Sequence, residues 1–234
     1  MTQQAMTQQK VIITGGAGVL GAAVVQAFLA GGHRVAVVDH APAPAAVAEG
    51  VLHLGGVDLT DEAAARTAFQ QAKVAMGGAD ALVNVAGGFR WQTVADGDPS
   101  AWEKLFAINA RTCLNMCRAA IVPEGGLSDG GAIVNVGAAA AEKAGAGMGA
   151  YAASKAAVAR LTESLAAELG GRIRVNAVLP LIMDTPQNRA DMPGVDPKSW
   201  TATAAVADAI VFLASRAARA INGALVPVTA PTAD

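Results

Sequence analysis

Short runs of β-branched residues alternate with alanine-rich segments of helical spacing from Val11 to Val228. Val11 to Ile13 reads as a first strand, and Leu20 to Leu29 as the helix after it. Further strands are predicted at Val35 to Val38, Leu52 to Leu54, Ala81 to Val85, Ala132 to Val136, Ile173 to Val178 and Leu225 to Val228. The spacing predicts helices over Ala63 to Met76, opened by Thr60 with Asp61 and Glu62 as its cap, over Trp102 to Ile121 and over Tyr151 to Leu169. Strands that alternate with helices in this way specify an α/β fold, a doubly wound parallel sheet with helices on both faces. Three irregular stretches follow predicted strands: Gly87 to Pro99, Gly137 to Gly149 and Pro180 to Lys198. In such a sheet ligands bind beyond the carboxyl ends of the strands, so all three should gather at one edge.

Composition narrows the function classes. A chain of 234 residues, 53% hydrophobic and 15% charged, suits one domain with a broad buried core. Residues 10–234 are expected to form that domain, with 1–9 as a polar, disordered tail that lacks the features of a signal peptide. The net charge of −2 and the lack of a basic run argue against nucleic acid, and no apolar stretch is long enough to span a bilayer. Cys113 and Cys117 lie four apart in a predicted helix, far from His33, His40 and His53. They read as two buried thiols and no metal site is expected. The expectation is a cytoplasmic protein acting on a small-molecule substrate.

The candidate chemistry begins at Thr14-Gly15-Gly16-Ala17-Gly18-Val19-Leu20-Gly21, between the first strand and the first helix. Glycines there let the backbone turn sharply and approach a pyrophosphate, which the positive end of the helix favours. Asp39 ends the second strand, 24 residues beyond Gly15. A carboxylate at that place accepts hydrogen bonds from the adenosine ribose hydroxyls and repels the 2′-phosphate of NADP, so NAD(H) is expected in preference to NADP(H). Tyr151 is the single tyrosine, and Lys155 stands four residues on, on the same helical face. A cation beside the phenol should lower its pKa and allow proton exchange near neutral pH while hydride moves to or from nicotinamide.

With these residues in order the chain resembles the short-chain dehydrogenase/reductase family. The resemblance runs from about Lys10 to Val228 and rests on the glycine loop, Asp58, Asn84-Val85-Ala86-Gly87, Asn109, Tyr151-x-x-x-Lys155 and Pro180-x-x-x-x-Thr185. It implies that Asp58 and Leu59 hold the adenine and that Asn84, Ala86, Gly87 and Pro180 line the cofactor. It also implies that Thr185 contacts the carboxamide, Lys155 holds the nicotinamide ribose and Asn109 supports a proton relay through water. A sheet of seven parallel strands and a homodimer or homotetramer follow from the same resemblance.

The sequence departs from the family pattern at three places. Val19 stands where the fingerprint has its middle glycine, and Leu181 follows Pro180 where a glycine is usual. The serine expected twelve or thirteen residues before the tyrosine is Ala139 or Ala138. The run Gly137 to Ala141 therefore offers no side-chain donor to polarise a substrate oxygen. Val85-Ala86-Gly87-Gly88, Asp184-Thr185-Pro186, Asn188-Arg189, Met192-Pro193 and Trp200 resemble the dihydropteridine reductase branch, which also has alanine in place of the serine. That likeness implies a quinonoid dihydropterin as lead substrate. The alternatives are an alcohol dehydrogenase or ketoreductase without the serine, and a non-catalytic NAD-binding sensor. Trp91 can stack on a flat ring or anchor its loop, and Arg90 can meet a carbonyl or an anionic group. Asn188 and Arg189 can close over a substrate or make loop and subunit contacts.

Overall fold

A computed structural model describes residues 8–44 and 49–230. Its first half runs β1 (Lys10–Thr14), α1 (Val19–Ala30), β2 (Arg34–Val38), β3 (Val51–Leu54), α2 (Glu62–Met76), β4 (Ala81–Asn84), α3 (Ser100–Leu105) and α4 (Thr112–Ile121). It continues with β5 (Ala132–Val136), α5 (Gly149–Leu169), β6 (Arg174–Pro180), β7 (Met183–Asp184), α6 (Pro186–Asp191), β8 (Thr201–Ala202), α7 (Thr203–Ala214) and β9 (Leu225–Val228). Seven strands form one parallel sheet in the order β3-β2-β1-β4-β5-β6-β9, and β7 and β8 form a separate two-stranded ribbon.

Helices cover both faces of the sheet, which is why its central strands are apolar without alternation. Ile12, Leu82, Ile133 and Val175 point to one face, where they meet Phe69 and Met76 of α2, Met116 of α4 and Leu165 of α5. Val11, Ile13, Val83 and Val134 point to the other, against Val24 and Phe28 of α1 and Val206, Ile210 and Leu213 of α7. Phe28 and Phe69 are wholly buried, and each contributes about 1.5–3 kcal/mol of transfer free energy to the core. The strand order reverses between β1 and β4, where Thr14 is level with Asn84. The glycine turn after β1 and the loop after β4 diverge from that point and leave a crevice at the carboxyl edge.

Asp61 caps α2 as expected, its side chain accepting a hydrogen bond from the Ala64 amide. Three details differ from the predicted elements. The helix expected over Trp102 to Ile121 is interrupted by a π-helical turn, Phe106–Arg111. The wide turn carries Asn109, whose carboxamide is bonded on both sides to the Gly88 peptide: Oδ1 accepts from its N–H at 2.8 Å and Nδ2 donates to its C=O at 3.0 Å. Helix α7 carries no predicted element at all. Of the expected tail, residues 1–7 lie outside the described residues, whereas Gln9 is already tied in, its amide donating to His33 Nδ1 and its side chain to the Ala214 carbonyl.

Candidate active site

The crevice is a cleft of ≈ 720 Å³ bounded by the glycine turn, the loops after β2, β3 and β4, and the first turn of α5. Gly15, at φ +69°, makes the reversal after β1, and a side chain there would also strike the Ala86 backbone. Gly21 is required by contact alone, because a Cβ would sit 2.0 Å from the Gly15 carbonyl oxygen. Gly18 caps α1 with extended backbone and no side-chain hydrogen bond, so the first turn of this twelve-residue helix keeps amide donors for a ligand. Val19 begins the helix and is half-exposed on the cleft wall, which explains why a residue with a side chain is tolerated where the fingerprint has glycine.

At one end of the cleft stand Asp39, His40, Asp58 and Leu59. The Asp39 carboxylate accepts hydrogen bonds from the Ala17 and Ala41 amides, both at 2.9 Å, and so braces the glycine turn from below. Asp58 accepts from the Thr60 hydroxyl and amide, which hold its carboxyl below the usual range. Among the described residues lining the cleft, Lys155 is the only lysine or arginine, and it lies at the opposite end beside Tyr151. The amide-lined turn, two carboxylates at one end and a lysine at the other suit an adenosine diphosphate joined to a second ribose, so the residues present fit a nicotinamide dinucleotide.

Lys155 is buried, and its ammonium donates to the Val136 carbonyl at 2.8 Å. Burial pulls its pKa down to about 8. Tyr151 differs from the sequence expectation, since burial pushes its phenol up to about 12 rather than down. The cause is burial of the phenol, whose ring also packs edge-on against Phe89 at 4.9 Å between centroids. In this state the Tyr151 phenol is protonated at neutral pH.

The lysine shift carries a linked stability. Between about pH 8 and the unfolded value of 10.5 the unfolded chain holds a proton that the folded chain has released. Stability from this group is therefore present at high pH and lost as pH falls through 8, with a span of about 3 kcal/mol. The buried Cys117 thiol and Tyr151, both shifted upward, act in the opposite sense at alkaline pH, above their unfolded values. The expected result is seen in a difference: denaturant unfolding free energies of the native chain minus those of Lys155→Met rise from pH 8 to pH 10 by about 2–3 kcal/mol. A flat difference would show that the ammonium is not desolvated.

Gly15, Gly18, Val19, Leu20, Gly21, Asp39, Asp58, Leu59, Ala86, Gly87, Tyr151, Lys155 and Pro180 all line the cleft. The remaining expected site residues are placed elsewhere. Asn84 is buried between strands and donates to Asn135 Oδ1 at 2.9 Å, joining β4 to β5. Asn109 lies behind the Gly87-Gly88 pair and also donates to Ser154 Oγ, which donates in turn to the Tyr151 carbonyl. Thr185 caps α6 by accepting from the Asn188 amide, and Asn188 donates to the Met183 carbonyl, so both serve their own loop. Ala138 is buried at the turn after β5. Trp91 anchors a loop, its indole N–H bonded to the Ala146 carbonyl and its ring packed over Gly147, while Arg90 pairs loosely with Asp98 at 4.0 Å. Ile108 and Met183 line the cleft without having been singled out in the sequence, and Phe89 joins them from the Phe89-Arg90-Trp91 run, which loosely echoes the family's aromatic after the Gly87-Gly88 pair.

The chain matches the family model described as short chain dehydrogenase over residues 9–195. It is 36% identical over 236 residues to 2-(R)-hydroxypropyl-CoM dehydrogenase of Xanthobacter autotrophicus, covering 91% of this chain and 94% of the relative. It is 34% identical over 235 residues to D-threitol dehydrogenase of Mycolicibacterium smegmatis, covering 91% and 88%. Among solved structures, a short chain dehydrogenase from Burkholderia cenocepacia in complex with NADP superposes with a TM-score of 0.85 at 30% identity, covering 97% of this chain and 98% of that one. A blue fluorescent protein from a metagenomic library, in complex with NADPH, superposes with a TM-score of 0.81 at 30% identity, covering 97% and 99%. By sequence, sheet order and cleft alike, the chain belongs to the short-chain dehydrogenase/reductase family of oxidoreductases.

Proposed function

We propose that this chain is an NAD(H)-dependent reductase of small, planar conjugated acceptors, with Tyr151 as proton donor. The observation that carries the reading is the placement of Tyr151 and Lys155 in one cleft with the uncapped glycine turn and the Asp39 carboxylate. Two carboxylates at the adenosine end favour a ribose with free hydroxyls and disfavour a 2′-phosphate. The NADP and NADPH in the solved relatives belong to those proteins. Bound NADH supplies the hydride. The chain supplies the rest: the α1 amides hold the pyrophosphate, Lys155 holds the nicotinamide ribose, and the Tyr151 hydroxyl delivers a proton to the reduced substrate. Asn109 holds the Gly87-Gly88 floor and the α5 entrance in register through Gly88 and Ser154.

The substrate class follows from the wall around the phenol. Phe89, Ile108, Val136, Leu181 and Met183 are apolar, and Ala138 brings no hydroxyl. A second donor typically contributes ~100- to 1000-fold to carbonyl reduction, so an acceptor that is already electron-poor suits the site better. A quinonoid dihydropterin is the lead candidate. A second reading, a secondary-alcohol dehydrogenase, is favoured by the names of the hydroxypropyl-CoM and D-threitol relatives.

A steady-state panel separates them. The expected result is NADH oxidation with quinonoid dihydropterin or a small quinone at least ~10-fold faster, in kcat/KM, than with aliphatic ketones. Faster NAD reduction with polyols or 2-hydroxyalkyl thioethers would replace the lead by the second reading. Tight NADH binding with no turnover on any of them would point to a sensor.

A further inference from the structure

We propose that Leu181 and Phe89 form an apolar rim at the substrate end of the cleft that selects a planar acceptor carrying a short alkyl substituent. This rests on the reading of the Tyr151 end as the acceptor site. Leu181 stands directly after Pro180, at the place where the sequence departs from the usual glycine, and it lines the cleft together with Phe89. The two side chains belong to the segments that leave β6 and β4. The sheet order β4-β5-β6 sets them on either side of the β5 end, where Val136 and Gly137 line the same cleft. Both are large, apolar and wet: Phe89 is 54% exposed and Leu181 59%. A lone surface leucine needs no explanation, but here two apolar side chains border the cleft that holds Tyr151 and Lys155, and a ligand entering it covers both.

Backbone bonds fix both sides of the rim. Upstream of Phe89, both polar groups of the Gly88 peptide are held by the Asn109 carboxamide. Downstream, the Trp91 indole is bonded to the Ala146 carbonyl and the Gln92 amide to the Gly147 carbonyl. Leu181 lies in a short span between two sheets: Pro180 is level with Val228 in the main sheet, and Met183 pairs with Thr201 in the ribbon. Within that span the Ile182 carbonyl accepts from the Thr201 amide at 3.0 Å. Surface held in place in this way loses little freedom when a ligand covers it. The charges flanking the rim are paired with each other. Arg189 forks onto Asp184 with both bonds at 2.6 Å, and Arg90 faces Asp98. In the cleft itself Asp39 and Asp58 lie at the adenosine end, and Lys155 is bonded to Val136. A charged or hydroxylated substituent between Phe89 and Leu181 loses water and meets these apolar side chains. An alkyl substituent gains up to about fourfold in affinity for each methylene it buries.

The experiment uses para-alkylphenols, planar rings that accept no hydride, titrated calorimetrically into the full chain saturated with NADH. From phenol through its methyl, ethyl and propyl derivatives the dissociation constant is expected to fall about two- to fourfold per carbon. The hydroxyethyl derivative, close in size to the propyl one, is expected to bind about 10-fold more weakly than it. Leu181→Ala and Phe89→Ala are each expected to flatten the series to less than about 1.5-fold per carbon. A loop merely loosened would weaken every member alike, so the slope separates recognition from a structural role. Leu181→Met is expected to keep the slope and Leu181→Asn, of similar volume, to lose it; this pair decides if Leu181→Ala disturbs the fold. A flat series in the native chain, no binding by any member, or a slope that survives either Leu181→Asn or Phe89→Ala overturns the rim. Because binding needs no turnover, a wrong assignment of the reaction leaves this answer intact. A steep slope with no reduction of alkylquinones would count against the reductase reading alone.

Discussion

Tyr151→Phe is expected to reduce turnover by about 1000-fold while leaving NADH affinity within about twofold of the native value. The substitution removes one oxygen. The ring keeps its place against Phe89, and the carbonyl that accepts from Ser154 is untouched, so the α5 entrance should not move. The glycine turn and Asp39, which carry the dinucleotide in this reading, lie at the other side of the cleft. Isothermal titration with NADH and steady-state rates with the preferred acceptor, taken together, give the test. Lost rate with retained binding assigns the proton to Tyr151. Retained rate would mean that another group or solvent supplies it, and the catalytic role of Tyr151 would have to be abandoned.

The second large effect concerns cofactor choice. Asp39→Ser is expected to change the NADH:NADPH preference by on the order of 100-fold in kcat/KM, in favour of NADPH. Loss of a charge-assisted hydrogen bond to the ribose costs about 1.5–3 kcal/mol for NADH. Removal of a like charge facing the 2′-phosphate adds in the same direction for NADPH. Since Asp39 also accepts from Ala17 and Ala41, some loss with both cofactors is expected from a looser turn. The ratio cancels that common loss. A ratio that stays put while both rates fall would reduce Asp39 to a brace for the loop.

Much of this was legible in the sequence because parallel strands buried on both faces carry apolar runs, as residues 11–13, 35–38, 81–83 and 132–134 do. Helix α7 was missed for the opposite reason. Thr203–Ala214 is apolar nearly all round, burying Val206 and Ile210 while leaving Phe212 half-exposed, so no polar stripe marks a period. The π-helical turn was invisible because one widened turn barely disturbs spacing; what marks it is the Asn109 bond to Gly88, a contact between residues 21 apart. Motif spacing located the glycine turn and the Tyr151–Lys155 pair. The helix cap made by Thr185 and the inter-strand tie made by Asn84 were not legible, because both are contacts that local spacing does not name. The direction of the Tyr151 shift depended on burial of the phenol in the folded chain, which the spacing of Tyr151 and Lys155 does not encode.

The packing of Trp91 over Gly147 bears on how this site can be redesigned. Gly147 has φ +73°, and a Cβ there would sit 2.1 Å from the indole ring. The two long loops at the mouth of the cleft are thus a single unit of recombination. A chimera that imports a relative's segment over residues 137–149 with any side chain at 147 evicts Trp91, and with it the downstream anchor of Phe89. Loop grafts over residues 137–149 that lack glycine at 147 are expected to need residues 87–99 to travel with them.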